Sequence, residues 1–426
     1  MVTENKISTA IDRSVANYLK PKLRFKEFEG GWEENKLGSN INILSGFAFK
    51  SVFFSDSGNK LVIPKNFTKN GFGNFSKQFS KYTIEKVDDK YICKEDDLLI
   101  LLTDLTQSCE LLGKPLLIRK EDGNVLLNQR IIKIKNKENL NKNFLSYFLL
   151  TNNYHKVIKE TSSGSTVRHS SIKIIQNINI NIPKLPEQQK IATFLTAVDT
   201  KIQQLKSRKS ALETYKKGAM QQLFSQQIRF KSDDGSDFAD WEEKKLGEVC
   251  DIRDGTHDSP KYKREGYPLI TSKNLMKDGS MDFDNVNLIS KIDFDNINKR
   301  SGVDIGDILF GMIGTIGNPV IVKNKGFAIK NVALIKENVL LKNFFLIHYL
   351  ANALIQKQFY EQNTGGTQKF IALGVIRDLV IFVPSLKEQQ KIANYLSAID
   401  VKIESVNQQI KKTQAFKKGL LQQLFV

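Results

Sequence analysis

The sequence predicts an α+β (α/β) protein in which two α/β domains alternate with two long α-helices. The two helices are predicted to pair as an intramolecular antiparallel coiled coil, so that the chain forms a pseudo-twofold repeat. Three observations predict this fold. The chain has 426 residues, of which 40% are hydrophobic, and can bury more than one core. Residues 183–224 and 384–425 are identical at 20 of 42 positions, and each copy carries a heptad pattern of apolar residues.

The repeat extends backwards from these helices at lower similarity. Trp32 matches Trp241 near the starts of the two halves, and residues 163–166 match residues 364–367. Between these positions the halves diverge, and residues 45–56 have no visible counterpart in the second half. The pattern indicates that one framework was duplicated and that its two variable faces were not kept alike.

This organisation divides the chain into five predicted segments. They are an N-terminal segment, a first domain, a first helical region, a second domain and a second helical region, with bounds 1–21, 22–182, 183–227, 228–383 and 384–426. Each domain shows short β-like runs broken by turn residues, which predict a mixed sheet. Each domain also contains one predicted helical segment, at residues 144–158 and 344–359.

Each helical region predicts one helix of about 38 residues with a narrow apolar seam. Such a stripe must be covered, and the other repeat is available in the same chain; an ordinary core helix and a homodimer zipper are the alternatives. Antiparallel pairing would set the two domains at opposite ends of the rod. The predicted seam residues are Ile191, Leu195, Val198, Ile202, Leu205 and Leu212, with Ile392, Leu396, Ile399, Ile403, Val406 and Ile410.

Charged residues affect these predicted helices in two ways. Lys209, Lys216 and Lys417 interrupt the stripe, which predicts looser packing at those points. Glu187 and Glu388 fall in the first turns, where a carboxylate offsets the positive end of a helix.

The charge balance favours an anionic partner. The chain has 64 Lys and Arg residues against 46 Asp and Glu residues, a formal net charge of +18. Nucleic acid is the favoured partner, and a soluble lysine-rich protein without such a partner is the alternative. Three widely spaced cysteines suit a reducing cytoplasm, and no apolar run is long enough to cross a bilayer.

Two kinds of segment carry candidate DNA contacts. Loops 162–169 and 363–370 put glycine and hydroxyl residues beside a cation, which suits a phosphate but is also ordinary turn chemistry. Other segments combine Lys, Arg, Asn and Ser, which can reach base edges and phosphates, or else form solvated loops. The candidates are Lys50, Ser51, Lys65, Asn66, Arg130, Ser163, Gly164, Ser165, Thr166, Arg168, His169, Thr256, His257, Lys261, Lys263, Arg264, Ser272, Lys273, Asn274, Thr364, Gly365, Gly366, Thr367, Gln368 and Lys369.

Motifs for catalysis and cofactors are missing from the sequence. It has no phosphate-binding loop of the Walker type, no HExxH and no metal-ligand spacing of His and Cys. It also lacks the Pro-Pro pair of an amino-methyltransferase tetrapeptide. We therefore expect no catalytic residue, no metal site and no cofactor in this chain.

Three motifs carry a family resemblance. They are LRFKEFEGGWEENKLG near the start, EQQKIA at the start of both long helices, and KKG followed two residues later by QQLF at both helix ends. Over nearly its whole length the chain resembles the specificity subunits of type I restriction-modification systems. The resemblance implies two target-recognition domains that bind a bipartite, asymmetric double-stranded DNA target without catalysing a reaction.

The resemblance also implies partners and their cofactors. Two methyltransferase subunits would bind S-adenosylmethionine and modify adenine, and two restriction subunits would use ATP and Mg²⁺. The paired helices would dock the methyltransferases. A free-standing nucleic-acid-binding or scaffold protein is the main alternative, and a nuclease or methylase with an unrecognised site is a third.

Overall fold

The computed structural model describes residues 20–104, 106, 108–164, 167–314, 316–362 and 370–426. The chain forms two units. The first comprises the described residues up to Leu205 together with Gln409–Val426, and the second comprises Lys206–Gln408. Among the described residues, no helix combines the length and the apolar character that crossing a membrane requires.

Two sheets form the centre of the first unit. An antiparallel sheet has the strand order Ile41–Ser45, Ile131–Asn136, Leu98–Leu101 and Pro115–Leu117. A mixed sheet has the order Phe54–Ser55, Lys81–Thr83, Asn59–Val62, Val125–Leu127 and Ile92–Cys93. Two strand pairs complete the unit, Glu33–Lys36 with Asn179–Ile182 and Thr103–Asp104 with Arg168–His169.

The helices of the first unit are Lys142–Phe148, Asn152–Glu160, Ile172–Asn177, the first part of Leu185–Phe224 and the last part of Leu386–Gln423. The single helical segment predicted at residues 144–158 is thus two helices. The second begins at Thr151, whose side chain accepts a hydrogen bond from the backbone N–H of Tyr154.

The second unit repeats this framework. Its antiparallel sheet has the order Ile252–Asp254, Val332–Ile335, Ile308–Gly311 and Gly317–Ile321, and its mixed sheet has the order Asn287–Ile289, Tyr267–Thr271 and Ala328–Lys330. Glu242–Lys245 pairs with Val380–Val383. The helices are the last part of Leu185–Phe224, then Leu246–Val249, Lys291–Ser301, Asn343–Leu350, Ala353–Gln362, Leu373–Arg377 and the first part of Leu386–Gln423.

The second predicted helical segment, residues 344–359, is also divided. Asn352 separates the two helices and its side-chain oxygen accepts from the backbone N–H groups of Leu354 and Ile355. An N-cap residue in the middle of an apolar run therefore starts a new helix in both units.

Both long helices exceed the length of an ordinary globular helix, with 40 residues in the first and 38 in the second. In the first unit, Ile191 and Leu195 pack in one core cluster with Leu420 and Leu424. Because the start of one helix meets the end of the other, the two run antiparallel. The predicted pairing is confirmed here.

The second unit contains the complementary pairing. Ile392 and Leu396 pack in one core cluster with Ala219 and Leu223. All predicted seam residues are buried except Leu212 and Ile403, which are half-buried.

The lysines that interrupt the stripe are paired with acceptors. Lys417 is only 7% exposed, and its Nζ lies 2.7 and 2.8 Å from the two carboxylate oxygens of Asp199. Lys216 makes the matching contact with Asp400 at 2.7 Å in the second unit. The prediction of looser packing is wrong at Lys417, because its charge is satisfied by a carboxylate on the facing helix.

A buried glutamate anchors the start of each long helix. Glu187 accepts hydrogen bonds from Arg24 and from the indole of Trp32. Glu388 accepts the corresponding bonds from Arg229 and Trp241. The first-turn carboxylates therefore join each domain's first segment to its helix, in addition to offsetting the helix end.

Candidate nucleic-acid interface

A glycine marks the same point of the framework in both domains. The backbone N–H of Gly46 donates to the carbonyl of Ile131, and that of Gly255 donates to the carbonyl of Val332, both at 3.0 Å. A Cβ at Gly46 would overlap the carbonyl oxygen of Asn128, and a Cβ at Gly255 would overlap that of Ile329. Only glycine fits there. The variable loops after these glycines therefore start at equivalent places, although their sequences show no correspondence.

The turn that faces each glycine contains a residue in the left-handed backbone region. Arg130 has φ 68° and Asn331 has φ 55°. Each directly precedes the inner strand of the antiparallel sheet, Ile131–Asn136 or Val332–Ile335. Glycine adopts this conformation most readily and asparagine tolerates it better than most residues, so Arg130 is the more strained of the two.

In the first domain, four of the candidate residues come together around Arg130. The Nη1 of Arg130 donates to Nδ1 of His169 at 3.2 Å and to Oγ1 of Thr103 at 3.4 Å. His169 and Arg168 form the short strand paired with Thr103–Asp104. The backbone of Ser163 exchanges two hydrogen bonds with His169, at 2.9 and 3.0 Å. The backbone of Ser163 is thereby held beside the histidine that Arg130 contacts.

In the second domain, the candidate His257 occupies the corresponding surroundings. Its Nε2 lies 2.7 Å from a carboxylate oxygen of Asp254, and its Nδ1 lies 3.0 Å from Oδ1 of Asn331. Arg300 forms an ion pair with the same carboxylate. Burial alone would raise the pKa of Asp254, but the hydrogen bond from His257 and the charge of Arg300 outweigh it and lower the pKa. The carboxylate therefore stays ionised and orients the guanidinium of Arg300 and the ring of His257.

Two further candidates, Asn66 and Asn274, form hydrogen bonds inside the protein. Asn66 is 0% exposed; its side-chain oxygen accepts from the N–H of Ile63, and its amide donates to the carbonyls of Asn74 and Phe79. Asn274 makes the equivalent bonds with Thr271, Asp282 and Asn285.

These bonds fold two equivalent turns and leave Lys65 and Lys273 exposed at their tips. Ser272 is likewise buried, and its hydroxyl donates to the carbonyl of Asn331. The structure thus gives Asn66, Asn274 and Ser272 a different task from the predicted DNA contact, because their polar atoms are bonded inside the domain.

The other described candidates remain on separate exposed loops. Lys50 and Ser51 follow the Gly46 turn, and Lys261, Lys263 and Arg264 follow the Gly255 turn. Thr256, directly after Gly255, is half-buried. The remaining candidates lie outside the described residues: Ser165, Thr166, Thr364, Gly365, Gly366, Thr367, Gln368 and Lys369. Apart from Asn66, Asn274 and Ser272, the predicted DNA contacts stay predictions.

Sequence reasoning missed several residues of this interface. Asn331, Asp254 and Arg300 were not among the candidates, although they surround His257. One signal was available: Asn331 directly precedes a continuous apolar run, which is typical of a turn before a buried strand. Nothing in the sequence pairs His257 with Arg300, which lies 43 residues later.

Groups suited to covalent or metal chemistry are not assembled in the described parts of the chain. Burial raises the pKa values of Cys93 and Cys250 to about 12, so both thiols stay protonated at neutral pH. Among the described residues, no group of three or more His, Cys, Asp or Glu side chains is placed to hold a metal ion.

Comparison with known proteins points to one family. The family model described as type I restriction modification DNA specificity domain matches residues 29–214 and 239–414. The type I restriction enzyme MjaVIII specificity subunit of Methanocaldococcus jannaschii is 25% identical over 422 residues, which cover 93% of this chain and 94% of that protein. The EcoBI specificity subunit of Escherichia coli is 24% identical over 420 residues, with coverage of 92% and 84%.

A solved structure supports the fold. The S subunit of a type I restriction-modification system from M. genitalium superposes with a TM-score of 0.58 at 16% identity, over 96% of this chain and 99% of that one. The predicted class, with α/β domains and long paired helices, is confirmed.

Proposed function

Because the chain belongs to the family of type I restriction modification DNA specificity domains, we propose that it is the DNA-recognition subunit of a type I restriction-modification complex. Each domain reads one half of a bipartite target, and the two half-sites differ. One observation carries this proposal: a duplicated framework holds Arg130 beside His169 in one domain and Asn331 beside His257 in the other. Different side chains at the same framework position suit two different half-sites.

The basic side chains of the loops supply most of the affinity. Lys65 and Lys273 at the tips of the asparagine-braced turns, with Lys50, Arg168, Lys261, Lys263 and Arg264, are available for phosphates. The net charge of +18 supports this role. The predicted loop residues outside the described part stay candidates for DNA contact.

The partner proposal is supported by the long helices. Leu185 and Leu386 are each 47% exposed, and Phe416 and Tyr215 are 55% and 57% exposed. The members of each pair are 201 residues apart in the sequence. Each unit therefore exposes one leucine and one aromatic residue at matching positions, which suits two copies of one partner. The partners are two methyltransferase and two restriction subunits.

Cofactors belong to those partners in this proposal. S-adenosylmethionine would be bound by the methyltransferases, and ATP and Mg²⁺ by the restriction subunits. This chain contributes recognition without catalysis, which the absence of catalytic motifs from the sequence supports. Its cysteines are free and buried, which supports a place in the cytoplasm.

The proposal is tested by expressing the chain with the methyltransferase subunit of the same host and mapping methylated adenines in the genome. We expect one motif with two specified blocks separated by unspecified bases. A single contiguous motif, or methylation that is unchanged without this chain, would contradict it. The purified chain alone should neither bind S-adenosylmethionine nor cleave DNA, which excludes the nuclease or methylase alternative.

Docking is tested separately with Leu185→Asp and Leu386→Asp. A charge at these exposed positions should reduce copurification of the methyltransferase without unfolding the chain, and the double variant should lose more than either single one. Lys201→Asp, an exposed change on the same helix, is the matched control. A double variant that still copurifies fully would favour the free-standing binding protein.

A further inference from the structure

Arg130 and Asn331 occupy one framework position whose backbone favours glycine. Glycine adopts the left-handed region without a steric penalty, whereas arginine is strained there and asparagine is tolerated less readily than glycine. Another left-handed position has glycine in one of the two units. Asp96 has φ 72°, and its counterpart in the second unit is Gly306 with φ 93°. Arg130 and Asn331 instead keep a long or amide-bearing side chain in both domains. A side chain at this position in both domains suits a role that glycine cannot fill.

The side chains at this position are held by contacts within the domain, and some of their hydrogen-bond donors have no partner among the described residues. Among the described residues, Arg130 has no carboxylate within ion-pair distance, and only its Nη1 has a hydrogen-bond partner. The side-chain amide nitrogen of Asn331 has no partner among the described residues, and its oxygen meets only His257. A histidine therefore orients each side chain, while donors remain free for a ligand.

The two residue types have complementary chemistry toward base pairs. The arginine fork presents two parallel N–H donors, which match the O6 and N7 acceptors of guanine in the major groove. The asparagine amide presents one acceptor and one donor, which match N6 and N7 of adenine. The same arginine fork can also bind a phosphate bidentately, and the salt dependence of binding distinguishes that contact from a contact with a base.

We infer that Arg130 and Asn331 are the specificity-determining side chains at this shared position, and that each reads one base: Arg130 a guanine in one half-site and Asn331 an adenine in the other. His169 and His257 are the positioning residues. Asn331 was not a candidate from the sequence. The inference deepens the proposed function and rests on it.

The test uses Arg130→Gly and Asn331→Gly in the complete complex with its methyltransferase. Glycine keeps the left-handed backbone and removes only the side chain. We expect each variant to relax one position of one half-site, with discrimination there falling on the order of 10- to 100-fold. Arg130→Gly should relax a guanine and leave the other half-site unchanged, and Asn331→Gly should relax an adenine in the other half-site.

Matched controls remove a side chain at other left-handed positions. Asp96→Gly in the first domain and Asn318→Gly in the second, where φ is 46°, should leave the motif unchanged. Arg130→Lys and Asn331→Asp provide second variants that keep a polar side chain and lose the two-point match. Each should relax the same single position as the glycine variant.

Two results would overturn the inference. The first is a variant whose methylation motif is identical to the wild-type motif at every position. The other is uniformly weaker binding to all sequences, with the salt dependence reduced by about one phosphate contact, which would assign the side chain to the backbone of DNA. If the wild-type complex gives no bipartite motif at all, the proposed function fails instead, and the two failures are distinguishable.

Discussion

The two domains share a framework and differ in the loops that it carries. Both contain the glycine turn, the left-handed residue and the asparagine-braced lysine turn. The first domain has a mixed sheet with the additional strands Phe54–Ser55 and Ile92–Cys93, whereas the second has the helix Lys291–Ser301, which supplies Arg300. The comparison teaches that buried polar contacts keep the scaffold alike while the exposed side chains are free to diverge.

The polar contacts at the long helices are also equivalent in position but different in side chains between the two units. In the first unit, Tyr147 donates to Asp199, which also binds Lys417. In the second unit, His348 takes the place of Tyr147, beside Asp400 and Lys216. Each domain is thus attached to the helices by a polar cluster, but the two clusters differ in burial.

The largest expected effect is a difference in stability between variants of the two ion pairs. Asp199 and Lys417 are each 9% exposed at the side chain, whereas Asp400 is 45% exposed. Asp199→Ala leaves a buried lysine without its carboxylate and should lower the free energy of unfolding by about 3 to 5 kcal/mol. Asp400→Ala should cost only about 1 kcal/mol, because water solvates the remaining lysine. Chemical denaturation compares the two variants.

A control separates charge from packing. Adding Lys417→Met to Asp199→Ala removes the buried ammonium charge and should restore part of the lost stability. Equal costs for the two aspartate variants would show that the burial difference has no energetic consequence.

A smaller effect concerns acid stability. Burial lowers the pKa of His348 to about 4, assisted by the charge of Lys216, while the charge of Asp400 opposes the shift. The unfolded histidine, with a pKa near 6.5, binds a proton that the folded one does not between about pH 6.5 and 4. Stability contributed by the neutral ring is therefore lost as pH falls through this window.

His348→Tyr, which copies the residue of the first unit, should remove this loss. Between pH 7 and pH 5 the variant should lose roughly 2 kcal/mol less than the wild type. His348→Gln is the control for ring size and should behave in the same way. Unfolding curves with an unchanged pH dependence would show that His348 titrates normally in the folded protein.

The smallest expected effects are gains. Gly218 and Gly419 lie at matching positions inside the two long helices, and a Cβ at either would meet no atom within 4 Å. Alanine should stabilise each helix by roughly 0.5 to 1 kcal/mol, with similar gains for the two variants. The shift in the unfolding midpoint measures this gain. A lower stability in either variant would mean that the glycine has a role that alanine cannot fill.

The long helices were predictable because their heptad pattern is periodic over many turns. Ile191 and Leu195 repeat at spacings that favour a helical seam, and burial follows from that pattern alone. The environment of Lys417 was not predictable, because its partner Asp199 lies 218 residues away in the sequence and no local rule joins them.

The candidate interface was predictable in part. Arg130 and His169 were recognised as residues that suit DNA, but their contact depends on a strand pairing that sequence does not reveal. Asn66 and Asn274 suit DNA equally well by type, yet the fold buries both. Residue chemistry therefore selects candidates, and backbone topology decides which of them face outward.

The most direct measurement is the methylation motif of a symmetrised chain. Residues 33–182 would replace residues 242–383, so that the exchange joins the equivalent strands at both ends. The account predicts that the half-site of the second domain disappears and that both blocks of the motif carry the sequence read by the first domain. Persistence of the original second half-site, or a single contiguous motif, would contradict it.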